Sequence, residues 1–397
     1  MEKQKIVLVG AYAPSRLGLN EYTYYIAQAL IRDPNIELTV LADEIPARAK
    51  SQIREVQGFK IIRCWKYNSP FNFIRILREI KKIKPGLVFF NLLFSSFGDK
   101  RIAAALGLLA PVFTSYSGFY TIVLLHHLVE FVPFAPTKFK KLSRVDRIAA
   151  HFITQLMFHT DVVLLPLNKY VMFVKRKYAG KIVHKWPHGF YNADELEPGN
   201  LQNRNILVFG KFGSYKTLDF AIEVFQKVKS RVPDARLVIG GRSHPSCPDY
   251  IENLRLDYKT ANDIIFTGYV SEEKLPDLFR NSRLMFLPYT ATTGVSGVAH
   301  WACCYGLPLV AASLHDLQAM CREENIVMKF YANGNVDSAA DALCELLTND
   351  SLAHEMGSRN RNVAVNLPIW KIVDRAKNRY FKKIEFDRWP NEQMQDS

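Results

Sequence analysis

The sequence predicts an α/β protein made of two doubly wound parallel-sheet domains. Three observations carry that expectation. Short continuous apolar runs, the mark of strands covered on both faces, alternate with amphipathic stretches of helical period. The alternation passes once through the first half and starts again near residue 205. The chain has 397 residues, 48% hydrophobic and 23% charged, which is too long for one ordinary domain and too apolar for a disordered one.

In chain order, strands are expected at Ile6–Val9, Leu38–Leu41, Leu87–Phe90, Ile122–Leu125 and Val162–Leu165, with helices such as Tyr22–Ile31 and Phe73–Lys82 between them. The stretch from Ile102 to Val129 lacks Asp, Glu, Lys and Arg and is long enough to suggest a membrane span. Pro111, the polar run Thr114-Ser115-Tyr116-Ser117-Gly118 and the pair His126-His127 interrupt it, so it reads as buried α/β elements. Asn192–Arg204, with Pro198, Gly199 and three Asn, is the expected linker. The second series has strands at Ile206–Phe209, Arg236–Ile239, Ile264–Phe266, Leu284–Leu287 and Leu309–Ala312. Helices at Leu218–Arg231, Tyr250–Tyr258, Glu273–Arg280 and Val298–Tyr305 separate them. The expected domains are 1–195 and 196–369, with a C-terminal helix at about 370–397 packing back on the first. Ligands of open parallel sheets bind beyond the carboxyl ends of the strands, so the cleft where two such domains face each other is the expected place for chemistry.

Charge is divided unevenly. Through Glu195 the chain carries 28 Lys and Arg against 14 Asp and Glu, and from Leu196 onward 24 against 24. The whole net charge of +14 therefore sits in the first half, a field that favours an anionic partner: a phosphorylated ligand, nucleic acid or a membrane surface. No recognised nucleic-acid motif accompanies it, so nucleic acid is not expected as a partner. The six cysteines, Cys64, Cys247, Cys303, Cys304, Cys321 and Cys344, form no CxxC pair and read as buried thiols of a reducing compartment, not as a zinc site or a disulfide framework. The apolar run before Gly10 is too short for a signal peptide, so the expected location is cytoplasmic.

Four stretches could carry chemistry. After the first strand, Gly10 to Gly18 leads into a helix, where a glycine lets main-chain amides approach a phosphate. Gly18 is equally readable as a turn glycine, and the dinucleotide pattern GxGxxG is absent. The second half opens with Gly210-Lys211-Phe212-Gly213-Ser214-Tyr215-Lys216, in which two lysines five apart can converge on a diphosphate or can form a solvated basic loop. Phe266-Thr267-Gly268-Tyr269-Val270 could let the chain pass a flat base, or Gly268 could be a turn. In Thr292-Thr293-Gly294-Val295-Ser296-Gly297-Val298, an N-cap at Ser296–Gly297 would aim the amides of the next helix at an anion, or would simply cap it. His126, at the end of an apolar strand, is either structural or a ligand to substrate.

Taken in order, these stretches resemble the GT-B nucleotide-sugar glycosyltransferases, specifically the retaining family GT4, over most of the chain. The resemblance includes the glycine-bearing first loop, the segment Thr121–Glu130 and Trp186-Pro187-His188-Gly189 in place of the family's Pro-His-Gly. It continues with Gly210-Lys211 and Lys216, Phe266–Val270 and Gly306-x-Pro308. It implies two Rossmann-like domains facing across a cleft, with a nucleoside diphosphate sugar as donor substrate and no cofactor or metal. No Asp-x-Asp, the metal-holding element of the other main glycosyltransferase fold, is present. It implies that Lys211 and Lys216, with Gly18, Gly210 and the segment Gly294, Ser296, Gly297 and Val298, hold the diphosphate, that the base lies by Tyr269 and Val270, and that His126 approaches the transferred sugar.

The sequence departs from the family at two glutamates eight positions apart. Aligned on Gly306-x-Pro308, Thr293 stands where the first would touch donor sugar hydroxyls and Trp301 where the second would hold the ribose. Thr293 can still hydrogen-bond a sugar, but Trp301 has a single N–H donor and cannot accept two hydroxyls. A nucleotide-sugar epimerase and a non-catalytic nucleotide- or polyanion-binding protein are the alternatives. The acceptor is expected to be a saccharide or a lipid-linked hydroxyl. The basic first half could also dock on the inner face of an anionic membrane, through Phe131–Arg144 or Phe71–Lys84. The plain alternatives are a surface helix with its apolar face inward for Phe71–Lys84 and a solvated loop for Phe131–Arg144; the plain reading is favoured for the first segment and the membrane for the second.

Overall fold

Gln4–Val9 (β1) lies in the middle of its sheet, and Ile6 through Val9 are completely buried, which is why this strand reads as an unbroken apolar run. The computed structural model describes residues 3–15, 17–45, 53–56, 58–131, 144–178, 180–213, 215–244, 247–292 and 294–381. From β1 the chain continues through α1 (Asn20–Ile31), β2 (Ile36–Asp43), β3 (Ile53–Val56), β4 (Phe59–Trp65), α2 (Asn72–Ile83), β5 (Leu87–Leu92), α3 (Arg101–Leu108) and α4 (Ala110–Tyr116). It then forms β6 (Thr121–Leu125), α5 (Arg144–Met157), β7 (Val162–Leu165), α6 (Asn168–Lys177) and β8 (Val183–Lys185). The sheet order is β3-β4-β2-β1-β5-β6-β7-β8, parallel except for β3, which pairs antiparallel with β4 at the edge. The uncharged stretch 102–129 is thus α3, α4 and β6. Among the described residues no helix is long and apolar enough to cross a membrane.

The second series is β9 (Asn205–Phe212), α7 (Leu218–Arg231), β10 (Arg236–Ser243), α8 (Tyr250–Asp257), β11 (Ile264–Gly268), α9 (Leu275–Arg280), β12 (Leu284–Leu287) and α10 (Gly297–Cys304). After these come β13 (Leu309–Ala312), α11 (His315–Glu324), β14 (Met328–Tyr331), α12 (Val336–Thr348) and α13 (Asp350–Asn366). Its six strands run parallel in the order β11-β10-β9-β12-β13-β14. Helix α7 shows the expected stripe, burying Leu218, Ala221, Ile222, Phe225 and Val228 against the sheet. The last described helix, α14 (Ile369–Ala376), packs on α1.

The chain divides into two compact units. The first holds the residues up to Phe131, those from Arg144 to Pro187 and those from Ile369 onward, and the second holds His188–Pro368. The segment 192–204 is therefore not a free linker but part of the second unit. The Gly199 amide donates to the Tyr305 carbonyl (2.7 Å) and that of Asn200 to Arg280 (2.8 Å), while fully buried Arg283 donates to the Leu201 carbonyl. Proline and asparagine mark irregular backbone, and here that backbone finds its hydrogen bonds on a neighbouring surface instead of in solvent. The expected helix at Glu273 starts as a single 3₁₀ turn and becomes α-helical at Leu275, with proline in its first turn.

Candidate functional site

In each sheet the strand order reverses beside the first strand, and the crevice beyond the strand ends at such a reversal is where open α/β sheets place ligands. In the second unit the reversal falls between β9 and β12. Strand β9 ends in Gly210-Lys211-Phe212 and continues into a turn in which Gly213 and Lys216 exchange main-chain hydrogen bonds of 2.9 and 3.1 Å. Lys216 also bridges to Tyr289, just past β12, and the Thr290 amide donates to the Tyr215 carbonyl (2.9 Å). The two lysines thus sit, half-buried, on a loop tied to a strand end, not on an exposed solvated loop.

The Lys216 ammonium lies 4.5 Å from the centre of the Tyr289 ring and 5.9 Å from that of Tyr215. Burial pulls its pKa down, but the two phenols more than offset this and leave it above the ordinary lysine value, so the group is a cation at neutral pH. A Cβ at Gly210 would stand 3.8 Å from both Lys216 Nζ and Val298 Cγ2, so the ammonium and the first turn of α10 flank the same spot. Gly210 also has φ +139°, and a side chain on the paired Gly241 would strike its carbonyl oxygen.

Strand β10 adds residues that the lysine spacing alone does not reveal. Arg242 pairs in register with Lys211, and the His244 amide donates to the Phe212 carbonyl (2.7 Å). Burial first, then Lys211 and Lys216, push the His244 pKa down. Arg242 also stands 5.9 Å over the ring of Tyr269, which is exposed, while Val270 is half-buried. Gly240-Gly241-Arg242 repeats the strand–glycine–cation pattern of Gly210-Lys211, so Arg242 was legible in the sequence. Gly268 has φ +68° with open space around it, the geometry of a turn glycine.

Ser296 is the N-cap of α10, its hydroxyl accepting from the Ala299 amide at 3.3 Å. The amides of Gly297 and Val298, one and two residues into the helix, point out of its positive end. Gly294, at φ +80°, is held by its amide on Asp316 (2.8 Å); Thr293 lies outside the described residues. Deeper in, fully buried His300 uses Nδ1 on the Ser296 carbonyl (2.7 Å) and Nε2 on Glu324 (2.6 Å), while the other Glu324 oxygen accepts from the His188 amide (3.1 Å). The imidazoles of His188 and His300 lie 4.1 Å apart, and a side chain at Gly297 would come within 3.7 Å of His188 Nε2 and 3.3 Å of the Tyr191 hydroxyl. Glu324 therefore pins both the His188 loop and the start of α10. No local pattern signals this, because the partners are 136 and 24 residues apart. Trp301 is buried and stacks on Tyr191 at 4.4 Å and 19°, with Phe279 and Tyr305 beyond.

Gly18 and His126 belong to the first unit. Gly18 does not take the left-handed conformation of the turn into α1; Leu19 does, at φ 66°. His126 closes β6, and its Nε2 lies 2.7 Å from Asn91 Oδ1, whose amide nitrogen donates to Thr23 Oγ1 (2.9 Å). That chain puts the ring proton on Nε2 and makes Nδ1 an acceptor. The Tyr22 and His126 rings meet at right angles with centres 4.9 Å apart, and the Tyr22 hydroxyl accepts from Trp186 (2.9 Å). Burial, with a smaller contribution from His127, pushes the His126 pKa down to about 3, so the imidazole is neutral at pH 7.

Phe131 is not an exposed membrane anchor: it packs on Tyr170 and Phe173 at 4.7 and 5.2 Å. Phe134, Phe139, Lys138, Lys140 and Lys141 lie outside the described residues.

Solved structures share this fold. Sucrose-phosphate synthase from Thermosynechococcus elongatus superposes with a TM-score of 0.75 at 15% identity, covering 97% of this chain and 100% of that one. Anabaena HepE in complex with UDP-glucose gives 0.66 at 13% identity, covering 95% and 99%. The fold is that of the GT-B glycosyltransferases, two parallel-sheet α/β units. Within it, residues 203–349, which include Lys211, Lys216, Arg242 and α10, match the family model of glycosyl transferases group 1. An uncharacterized glycosyltransferase of Haemophilus influenzae is 26% identical over 192 residues, and the match spans 47% of this chain and 52% of that protein, about half of each.

Proposed function

We propose that the protein is a retaining, GT4-like glycosyltransferase that moves a sugar from a nucleoside diphosphate sugar to a hydroxyl of a saccharide or lipid-linked acceptor. The observation that supports the reading is that Lys216 Nζ and Val298 at the amino end of α10 flank Gly210 at the sheet reversal of the second unit, with Lys211 and Arg242 paired in register on β9 and β10, within the segment that matches glycosyl transferases group 1. Cations and helix amides in a partly desolvated crevice stabilise the charge that grows on a departing diphosphate. In the reaction the anomeric carbon–oxygen bond to that diphosphate breaks and a bond to the acceptor oxygen forms. The acceptor's proton passes to the departing phosphate oxygen, so no side chain need act as base. The resemblance assigns neutral His126, whose Nε2 faces Asn91, to approach the transferred sugar. No metal is required by this scheme. The epimerase alternative needs an available carboxylate, and the buried acids of the second-unit site, Asp316 and Glu324, are each committed to main-chain amides.

The binding of UDP-glucose by the Anabaena protein makes UDP-sugars the first donors to test. Thermal shift across nucleoside diphosphates should find one that stabilises the chain, because a ligand of the native state raises its melting temperature by mass action. Transfer from the matching sugar donor, with the anomeric configuration read by NMR, then tests retention. An inverted product would overturn the stereochemical part of the proposal, and binding without transfer to any hydroxyl acceptor would favour the non-catalytic alternative.

A further inference from the structure

Helix α2 has two apolar faces. The inner one, Ile76 and Ile80, is completely buried, and Asn72 beside it ties the helix start to the main chain of Lys66 (3.0 and 2.9 Å). The outer one has no reason to exist in a plain surface helix. Phe71 is 59% and Ile74 51% exposed, and Phe73 and Leu77 line an open groove of about 540 Å³ shared with Phe113 of α4. The Phe73 and Phe113 rings stack at 5.2 Å and 28° across it, and Tyr116, one turn further along α4, is 73% exposed.

The polar residues lining this groove are all basic: Arg78, Lys81 and Lys82. Lys84, at the end of the helix, is also exposed. Glu79, on the same helix, pairs with Lys82 at 2.6 Å, and Arg78, Lys81 and Lys84 still leave the surface with a net positive charge. We infer that the α2–α4 groove is the surface by which the protein docks on an anionic phospholipid bilayer, with Phe71, Ile74 and Phe113 entering the headgroup–acyl boundary and Arg78, Lys81 and Lys82 meeting the lipid phosphates.

Charge complementarity selects this occupant. Large apolar side chains flanked by cations alone match a surface that is apolar beneath and anionic above. The core of a protein interface is depleted of lysine, and a partner helix would need acids placed against these three cations. The groove also lies in the half of the chain that holds the whole positive excess. This inference deepens the acceptor side of the proposed function, since a membrane-docked transferase meets lipid-linked hydroxyls, but it does not depend on which nucleotide binds.

The test is flotation of the full chain with vesicles of phosphatidylcholine alone and of two parts phosphatidylcholine to one part phosphatidylglycerol, at low and high salt. Binding should appear only on the anionic vesicles and weaken with salt. Arg78→Glu/Lys81→Glu/Lys82→Glu should lower it by at least about 100-fold, since each cation lost near an anionic surface is worth about a factor of five and each added acid is repelled. Phe71→Ser/Ile74→Ser should lower it by at least about 10-fold. Both variants alter exposed side chains, so their melting temperature and nucleotide binding should match the parent, which separates failure of this inference from failure of the donor site. Four outcomes would overturn it: no binding to either vesicle; equal binding to both; loss only in Lys138→Glu/Lys140→Glu/Lys141→Glu; or a concentration-dependent dimer that Phe71→Ser/Ile74→Ser abolishes, which would make a second copy the occupant.

Discussion

Replacing Glu324 by Leu should destabilise the second unit more than any substitution among the exposed charges of the site. The side chain is almost fully buried, and its two oxygens accept from His300 Nε2 and the His188 amide. Leucine fills much of the volume but leaves the His188 amide without an acceptor and His300 Nε2 without a partner. Each buried polar group left without a partner costs about 1–3 kcal/mol, and breaking a buried charged or hydrogen-bonded pair costs about 3–5 kcal/mol in all. For a unit of this size, His188–Pro368, one kcal/mol moves the melting temperature by about 2–4 °C, so the expected loss is roughly 6–20 °C. Glu324→Gln is the informative control. Its carbonyl can still accept from the His188 amide and its NH2 can donate to a neutral His300 nitrogen, so it should recover at least half of the loss. Calorimetry of the full chain reads both variants, and nucleotide titration on the folded protein reports whether the start of α10 has moved. A Leu variant that melts within about 2 °C of the parent would refute the reasoning, because two buried polar groups stripped of their partners cannot cost so little.

Lys211→Met and Lys216→Met should each raise the nucleoside diphosphate dissociation constant by roughly 10- to 150-fold, the value of one charge-assisted contact. Titration calorimetry checks this, and unchanged affinity in the double variant would remove both lysines from the site. With an indole at position 301, ribose and deoxyribose donors should differ by less than about 10-fold in kcat/KM, since a site built to bind a hydroxyl rejects the analogue lacking it by about 10⁴-fold or more. A large ribose preference would show that another residue has taken over. The third prediction concerns acid. His126 has its pKa lowered to about 3, whereas the unfolded chain protonates near 6.5. The unfolded state therefore takes up the proton first as pH falls, and the stability of the first unit should drop by about 2 kcal/mol between pH 6.5 and 5 from this group alone. Urea titrations across that range should show the slope and show it reduced in His126→Gln; an identical slope in both would mean that His126 is protonated at the same pH folded and unfolded.

The central strands were legible because both their faces are covered, and a continuous apolar run has no other easy explanation. The edges were not. β4 (FKIIRCW) and β14 (MKFY) interrupt their apolar residues with Lys60, Arg63 and Lys329, and β8 is only Val183-His184-Lys185. Strands near an edge alternate or shrink, and short alternating runs resemble loops. The candidate site divides in the same way. Lys211, Lys216 and Ser296 announce themselves through glycines and caps next to them in sequence. Asp316, Glu324 and Asn91 act at long sequence separation, by holding an amide or setting a tautomer, and only the fold brings them to their partners.

The return of the chain at Ile369 has a consequence for synthesis. Helix α14 covers α1 with buried Ile372 and Val373, with Arg32 4.7 Å over the Trp370 ring and with Lys377 3.2 Å from Asp33. Between Pro187 and this helix the ribosome must make all of His188–Pro368. At about 5–20 residues per second that interval is roughly 10–40 s, during which the second unit can fold as a whole while the first waits with α1 uncovered. The half made first is thus the half completed last, and a chaperone that recognises exposed apolar helix faces would meet the nascent chain there.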